Sequence, residues 1–520
     1  MSNNEIKNIL LISVDQWRAE CLSSAGHMVQ TPNLDQLATD GLAFRKHYTQ
    51  CLPCGPSRTS LLTSMYAMNH RHVSNGTPLD SSFTNIALEA RKKGYEPTLY
   101  GYTDTPVDPR GRDLNDPDLK TYCGVMPGFR VGSLVSEEMA VDWFGELEAK
   151  GYKLPDNQFD ITLGQKGYPG AEERGSSYAA PQYDKDSSDT AFIADKLINY
   201  ITIHREPWFL HGVFLRPHPP LFAPEPYNKM YDPNDIAMPH RADNVDVEKG
   251  QHPYLDYALD KMADNGAYMG HDNNVRDLPD HEIKQMRAAY YGLISEVDDQ
   301  LGRVIQTLKD TEQYDKTLII FTSDHAEQLG DHWLWGKLGY FDESSHIPLI
   351  IRDPRNEADT SRGQTVDTHF SEAIDIMPTI LDLMDQQVPM QCDGHSLRPF
   401  LEGKIPERWR NEVHWEFDFR DLENFSAEEK FDLTSDQCVM TIIRDDDFKY
   451  VHFTTLPPLL FDLKADPEEN TNLAADIAYQ ATVLAYTQKM LSWRQNYASR
   501  RMSHMKITPA GLIERDYLRI

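Results

Sequence analysis

Cys54, Pro56 and Arg58 stand together in the run Cys54-Gly55-Pro56-Ser57-Arg58. Cys-x-Pro-x-Arg is the pattern that a formylglycine-generating enzyme reads when it oxidises a cysteine to an aldehyde. Hydrated, that aldehyde carries two hydroxyls on one carbon. One can attack sulfur or phosphorus, and the other can expel the product as the hemiacetal collapses, a step closed to serine. The chemistry permitted is hydrolysis of sulfate, phosphate or phosphonate esters. The pattern from Ser57 to Ser64 predicts a helix with Cys54 near its N-terminus, where backbone N–H groups and the helix dipole favour an anion. Arg58, one turn in, is placed to hold both the nucleophile and a non-bridging substrate oxygen.

Two apolar runs end in acids. Val14 leads into Asp15-Gln16, and Phe321-Thr322-Ser323 leads into Asp324-His325. Singly, a polar residue after a strand is a turn or cap residue; beside a reactive-cysteine motif the two ends suggest one site. Their oxygens and one imidazole suit one divalent cation, with manganese first and calcium or magnesium as alternatives to it, over zinc. Asp342 and His346 have no partner acids and read as structural. Cys51-Leu52-Pro53-Cys54 also permits a redox dithiol, a reading that leaves Arg58 and both strand-end acids unexplained. His218, in Arg216-Pro217-His218-Pro219-Pro220, is either a leaving-group acid or a histidine fixed by prolines for packing. Lys337, among Gly336 and Gly339, is either a ligand contact or a solvated loop lysine.

The elements that must position these groups alternate between short apolar runs and helical patterns. That is the signature of an α/β domain with a large, mixed but mostly parallel sheet flanked by helices. Strands are expected at 8–14, 97–100, 208–214, 317–321 and 347–351, with helices at 86–93, 189–202, 282–308 and 374–384 and one opening at Thr31-Pro32-Asn33. From about residue 407 the runs alternate, predicting a smaller antiparallel four-stranded α+β subdomain. The expected division is 1–405 for the catalytic domain and 406–520 for the C-terminal unit, with an oligomerisation arm at about 498–520. Residues 164–186, rich in Gly, Pro, Ser and charge, read as a surface excursion.

At 520 residues the chain can bury a large core, and its 40% hydrophobic and 25% charged residues are ordinary for a globular protein. A formal net charge of −30 argues against nucleic-acid or anionic-membrane partners, although a metal and a few basic residues can reverse the field locally for a small anionic ester. Met1 to Lys7 lack signal-peptide order, so a cytoplasmic location is expected. The six scattered cysteines do not look like a disulfide framework.

With these residues in view, the chain resembles the alkaline phosphatase superfamily and, within it, the sulfatase branch, most closely bacterial phosphonate monoester hydrolases and related arylsulfatases. The resemblance runs through residues 11–18, 54–58 and 216–220, then Ser323-Asp324-His325-Ala326-Glu327-Gln328 to His332, and on to Phe461-Asp462-Leu463 and Asp466-Pro467. It implies that Asp15, Gln16, Asp324, His325 and modified Cys54 ligate one divalent metal, and that Arg58, Asn75, Tyr102, His218 and Lys337 surround the substrate. It also implies maturation by a formylglycine-generating enzyme and a homo-oligomer, tetramer or dimer. Three positions depart from the pattern. Gln16 stands where ordinary sulfatases carry a second acid, Ala326 replaces a usual glycine, and Asp104 replaces a threonine of the phosphonate hydrolases, where it bears on substrate selection. Rival readings are a phosphatase or phosphodiesterase that does not use formylglycine, and a catalytically silent anion-binding protein.

Overall fold

The structure is a computed structural model and describes residues 5–205, 207–262 and 275–514. Residues 1–4 of the N-terminal reading and 515–520 of the expected arm lie outside the described residues.

Thirteen strands matter here. They are β1 (Asn8–Asp15), β2 (Leu42–Phe44), β3 (Cys51–Leu52), β4 (Thr98–Tyr100), β5 (Arg130–Ser133), β6 (Trp208–Pro217) and β7 (Thr317–Ser323), then β8 (Leu349–Arg352), β9 (Gln364–Val366), β10 (Val413–Asp418), β11 (Val439–Arg444), β12 (Phe448–Phe453) and β13 (Leu459–Asp462). The large sheet runs β9-β2-β8-β7-β1-β6-β4-β5. All its pairings are parallel except the two made by β8, which is antiparallel to both β2 and β7.

Every residue of β1 is buried, because its two faces feed two cores. Leu10, Ile12 and Val14 enter one with Ile319, Phe321 and the helix Asp280–Asp310. Ile9 and Leu11 enter the other with Leu318, Ile320, Leu61, Leu62 and the helix Ile376–Leu383. A strand covered on both sides reads as a continuous apolar run rather than an alternating one. In register, Val14 faces Ser323 and Asp15 faces Pro217, so the carboxyl ends of β1, β6 and β7 share one edge, where ligands gather in such sheets.

The second sheet runs β13-β12-β11-β10-β3. Four antiparallel strands were expected, and they are present; the fifth, β3, pairs in parallel with β10 (Cys51 with Glu416, Leu52 with Phe417). The residues immediately before Cys54 therefore belong to a sheet completed near the end of the chain. Beyond it, the hairpin of strands Met505–Thr508 and Gly511–Glu514 exposes Ile507 and Leu512.

Residues 164–186 are a surface excursion over their first half and are docked through part of their second. Ser177, Ala179, Ala180 and Tyr183 are buried, the Gln165 N–H donates to the Ala180 carbonyl at 2.9 Å, and Tyr183 meets Trp143 edge-on at 5.7 Å. Small alanines and one aromatic ring supply enough apolar surface to dock a segment whose composition is that of a loop. Asp342 pairs with Lys449 and Arg444, while His346 stacks on Tyr48 at 4.7 Å. All six cysteines are free and buried.

Candidate active site

Cys54 is the first residue of α1 (Cys54–Thr63), a helix buried along its whole length. Pro56 falls in the first turn, where its missing N–H breaks no helical bond. The Gly55 N–H, one of the turn's orphan donors, is accepted by Asn75 Oδ1 at 2.9 Å. Only glycine fits position 55: a Cβ there would lie 2.8 Å from the Asp104 carbonyl oxygen and 3.0 Å from His72 Nε2. Ser57 Oγ donates to the Asp324 carbonyl, fastening the helix to the end of β7.

Arg58 lies one turn from Cys54 and meets three carboxylates. Its Nε is 3.0 Å from Asp324 Oδ2 and its terminal nitrogens 2.7 Å from Asp15 Oδ2 and 3.3 Å from Asp104 Oδ2. The guanidinium sits 3.8 Å from the centroid of Tyr102, whose hydroxyl donates to Asp15 Oδ2 at 2.5 Å. Asp104 takes a left-handed backbone, φ 48°, and its Oδ1 is buried with no hydrogen-bond partner. Burial, reinforced by Asp15 against the pull of Arg58, pushes its carboxyl up to about 7.

The Asp15 Oδ1 is likewise buried without a hydrogen-bond partner and stands 3.4 Å from His325 Nε2. Asp324 Oδ1 accepts from the Gln16 and His325 N–H groups at 3.2 and 2.8 Å. His325 Nδ1 lies 3.0 Å from the Ala326 carbonyl, so that nitrogen carries the hydrogen and Nε2 keeps its lone pair, 3.2 Å from Cys54 Sγ. Burial and Lys337 hold the ring well below the ordinary histidine range, in its neutral, ligating form. Asp324 is pushed up to about 6 by burial and by Asp15, whereas at Asp15 burial is overcome by His218, Lys337 and Arg58, which hold it well below the usual carboxylate range. One ligand atom from each of Asp15, Cys54, Asp324 and His325 lies within 4.8 Å of the others. Two carboxylates, one of them with an orphaned oxygen, and a neutral imidazole fit one divalent cation.

Gln16 is placed differently from the other expected ligands. Its side-chain oxygen accepts from Lys337 Nζ at 2.8 Å, its amide nitrogen donates to Glu327, and its backbone is left-handed at φ 74°, an uncommon state for a residue with a side chain. Glu327, given no role in the sequence reading, also accepts the Leu329 and Gly336 N–H groups and so shapes the loop that carries Lys337. His218 follows β6; its Nδ1 lies 2.8 Å from the Pro219 carbonyl and its Nε2 2.7 Å from Glu137 Oε1. The buried Arg216 guanidinium donates to the His218 carbonyl at 2.9 Å and pairs with Asp189 at 3.0 Å. Burial and Lys337 oppose the charge on His218, but Glu137 and Asp15 raise its pKa above the ordinary value. Glu137 has no motif around it, and nothing in the sequence marks it.

Cys51 and Cys54 face different surroundings. Cys51 Sγ lies 3.2 Å from Ser60 Oγ, and burial pushes its thiol upward, whereas a redox dithiol needs a lowered one.

A mixed sheet with two acids, a histidine and a helix-borne cysteine at its carboxyl edge defines an ester-bond hydrolase of the alkaline phosphatase superfamily. More narrowly, the chain belongs to the sulfatase family: the model described as Sulfatase matches residues 7–386. A second, described as N-sulphoglucosamine sulphohydrolase, C-terminal, matches residues 330–496. The chain is 45% identical, over 98% of its length and 99% of the relative's, to the multifunctional alkaline phosphatase superfamily protein PehA of Trinickia caryophylli. It is 28% identical to an arylsulfatase of Clostridium perfringens, over 93% of each chain. Among solved structures it is similar to the phosphonate monoester hydrolase of Agrobacterium radiobacter, with a TM-score of 0.93 and 46% identity over 98% of this chain and 100% of that one.

Proposed function

We propose that this chain hydrolyses monoanionic sulfate esters, phosphonate monoesters and phosphodiesters, with residue 54, converted from cysteine to formylglycine, as the nucleophile. The observation that carries the reading is the convergence of Asp15, Cys54, Asp324 and His325 at the start of α1 beside Arg58. The similar proteins support it, since their names cover a phosphonate monoester hydrolase, an arylsulfatase and a multifunctional member of the superfamily. All three ester classes carry about one negative charge, so one site serves them.

Asp15, Asp324, His325 and residue 54, with Gln16 at the margin, would hold one divalent cation, manganese before calcium or magnesium. Once bound, it lowers the proton affinity of a hydroxyl and offsets charge on the ester oxygens. One hydroxyl of hydrated residue 54 loses its proton to Asp324 and attacks sulfur or phosphorus. The bond to the leaving oxygen breaks, and that oxygen takes a proton from His218 or Lys337. Arg58 and Lys337 supply positive charge beside the non-bridging oxygens, while Asn75, Tyr102 and Asp104 line the place the ester occupies. The second hydroxyl then gives up its proton to solvent, as Asp324 does with the one it took, its electron pair forms the carbonyl, and the carbon–oxygen bond to sulfate or phosphonate breaks. Water adds to the aldehyde and closes the cycle.

Mass spectrometry of the peptide spanning residues 45–71, from protein coexpressed with an active maturation enzyme, tests the nucleophile. The expected product has lost its sulfur and gained an aldehyde; a fully active protein with an intact thiol refutes the reading. Cys54→Ala should abolish turnover and leave most of the bound metal in place.

We also propose a catalytic domain over 1–405, a C-terminal unit over 406–520 and a homo-oligomer. The exposed apolar residues of the 505–514 hairpin support the last of these.

A further inference from the structure

Glu137 reaches the site from the loop that follows β5. Its Oε1 lies 2.7 Å from His218 Nε2, and its Oε2 accepts from the Tyr122 hydroxyl at 2.9 Å. The other ring nitrogen of His218 faces the Pro219 carbonyl at 2.8 Å. A carbonyl and a carboxylate offer no hydrogens, so both ring nitrogens carry one, and the ring is an imidazolium in this arrangement. The same two contacts leave it no N–H to give: the hydrogen a departing oxygen would need is held by Glu137.

Exposure and anchoring are divided unequally between the two partners. His218 is 14% exposed and flanked by Pro217, Pro219 and the Arg216 clamp, whereas the Glu137 side chain is 39% exposed. When a leaving oxygen comes within reach of Nε2, the partner with solvent beside it to turn into is Glu137.

We propose that Glu137, steadied by Tyr122, is a positioning residue that holds His218 as a ready proton donor and yields its place at Nε2 to the leaving oxygen of the ester; this rests on the reading of His218 as leaving-group acid. The ester bond breaks with its electron pair on oxygen, the Nε2 hydrogen passes to that oxygen, and neutral imidazole remains. A proton from solvent restores the imidazolium and its bond to Glu137. Loss of Glu137 is therefore felt in proportion to how much the leaving group needs a proton.

The test is kcat/KM for a series of aryl esters, from 4-nitrophenyl to unsubstituted phenyl, on the metal-loaded, matured enzyme and on Glu137→Gln, Tyr122→Phe, His218→Ala and the Glu137→Gln/His218→Ala double variant. Glu137→Gln is expected to lower kcat by about tenfold or more for the phenyl ester and less than threefold for the 4-nitrophenyl ester, with KM little moved. Tyr122→Phe should shift the series in the same direction by less, and the double variant should lose nothing beyond His218→Ala. An equal loss across the series in Glu137→Gln, or no loss, with His218→Ala still dependent on the leaving group, overturns the proposal alone. If His218→Ala is itself indifferent to the leaving group, the acid role of His218 falls and the proposal with it. Thermal midpoints within a few degrees of the parent establish that each variant is folded, and Tyr122→Phe, which deletes one hydroxyl, carries the test if Glu137→Gln is not.

Discussion

Lys449 Nζ lies 2.7 Å from Asp342 Oδ1, and that contact joins β12 of the C-terminal sheet to the segment that follows Lys337. The lysine is fully buried and also pairs with Glu469. Removing one partner of such a group leaves buried charge without compensation, which costs about 3–5 kcal/mol. Lys449→Met is expected to lower stability by that order, as a drop in the denaturant midpoint. Its activity should fall as well, because Asp342 opens the short helix Asp342–Ser345 just beyond the Lys337 loop. A variant as stable as its parent would show that Asp342 and Glu469 find other partners.

The orphaned Asp15 Oδ1 and the raised Asp324 carboxyl leave room for a cation beyond the charge that Arg58 brings. A divalent cation present at a hundred times its dissociation constant stabilises the fold by about 2.7 kcal/mol. Manganese is expected to raise the thermal midpoint, a chelator to reverse the rise, and Asp15→Asn to abolish most of it. An equal manganese shift in parent and Asp15→Asn would place the ion elsewhere.

Asp104 brings a third carboxylate to Arg58, with one oxygen unpartnered. Above about pH 7, where its carboxyl is ionised, Asp104 weighs hardest on substrates with more negative charge. For Asp104→Thr the ratio of kcat/KM for a phosphate monoester to that for an aryl sulfate is expected to rise about tenfold. Equal changes for the phosphate monoester and the aryl sulfate would deny Asp104 any part in selection by charge.

Glu296, on the helix Asp280–Asp310, is buried beside the Asp189–Arg216 pair, with Oε1 unpartnered. Burial, then Asp189, pushes its carboxyl from an ordinary 4.5 up to about 8. Between those values the unfolded chain releases the proton and the folded chain keeps it. Stability from this group is thus complete below about pH 4.5 and declines by about 1.4 kcal/mol per pH unit until roughly pH 8. Glu296→Gln removes the decline, so its thermal midpoint should change less between pH 6 and pH 8 than the parent's. Identical slopes would mean that Glu296 is ionised in the folded protein.

Much of the catalytic edge was legible because burial on both faces writes itself as an unbroken apolar run. The runs 8–14 and 317–321 became β1 and β7, and the acids after them, Asp15 and Asp324, converge on Cys54 and Arg58. The rest depends on pairings between residues far apart in the chain. Cys51 and Leu52 are too few to announce a strand, and their partners Glu416 and Phe417 carry no sign of them. Glu327 sat inside a recognised run, but its role follows from the Gly336 and Gln16 donors that converge on it. Glu137 came to His218 by loop geometry alone.

The pairing of β3 with β10 also sets a clock. Glu416 is made roughly 365 residues after Cys51, an interval of tens of seconds at about 5–20 residues per second. Until then the stretch leading into Cys54 has no sheet to join; afterwards Cys54 is buried beneath strand and helix. An enzyme that reads Cys54 to Arg58 would therefore have to work on the emerging polypeptide, in competition with translation, and slowing the ribosome ahead of codon 416 would lengthen the time in which that peptide can be caught.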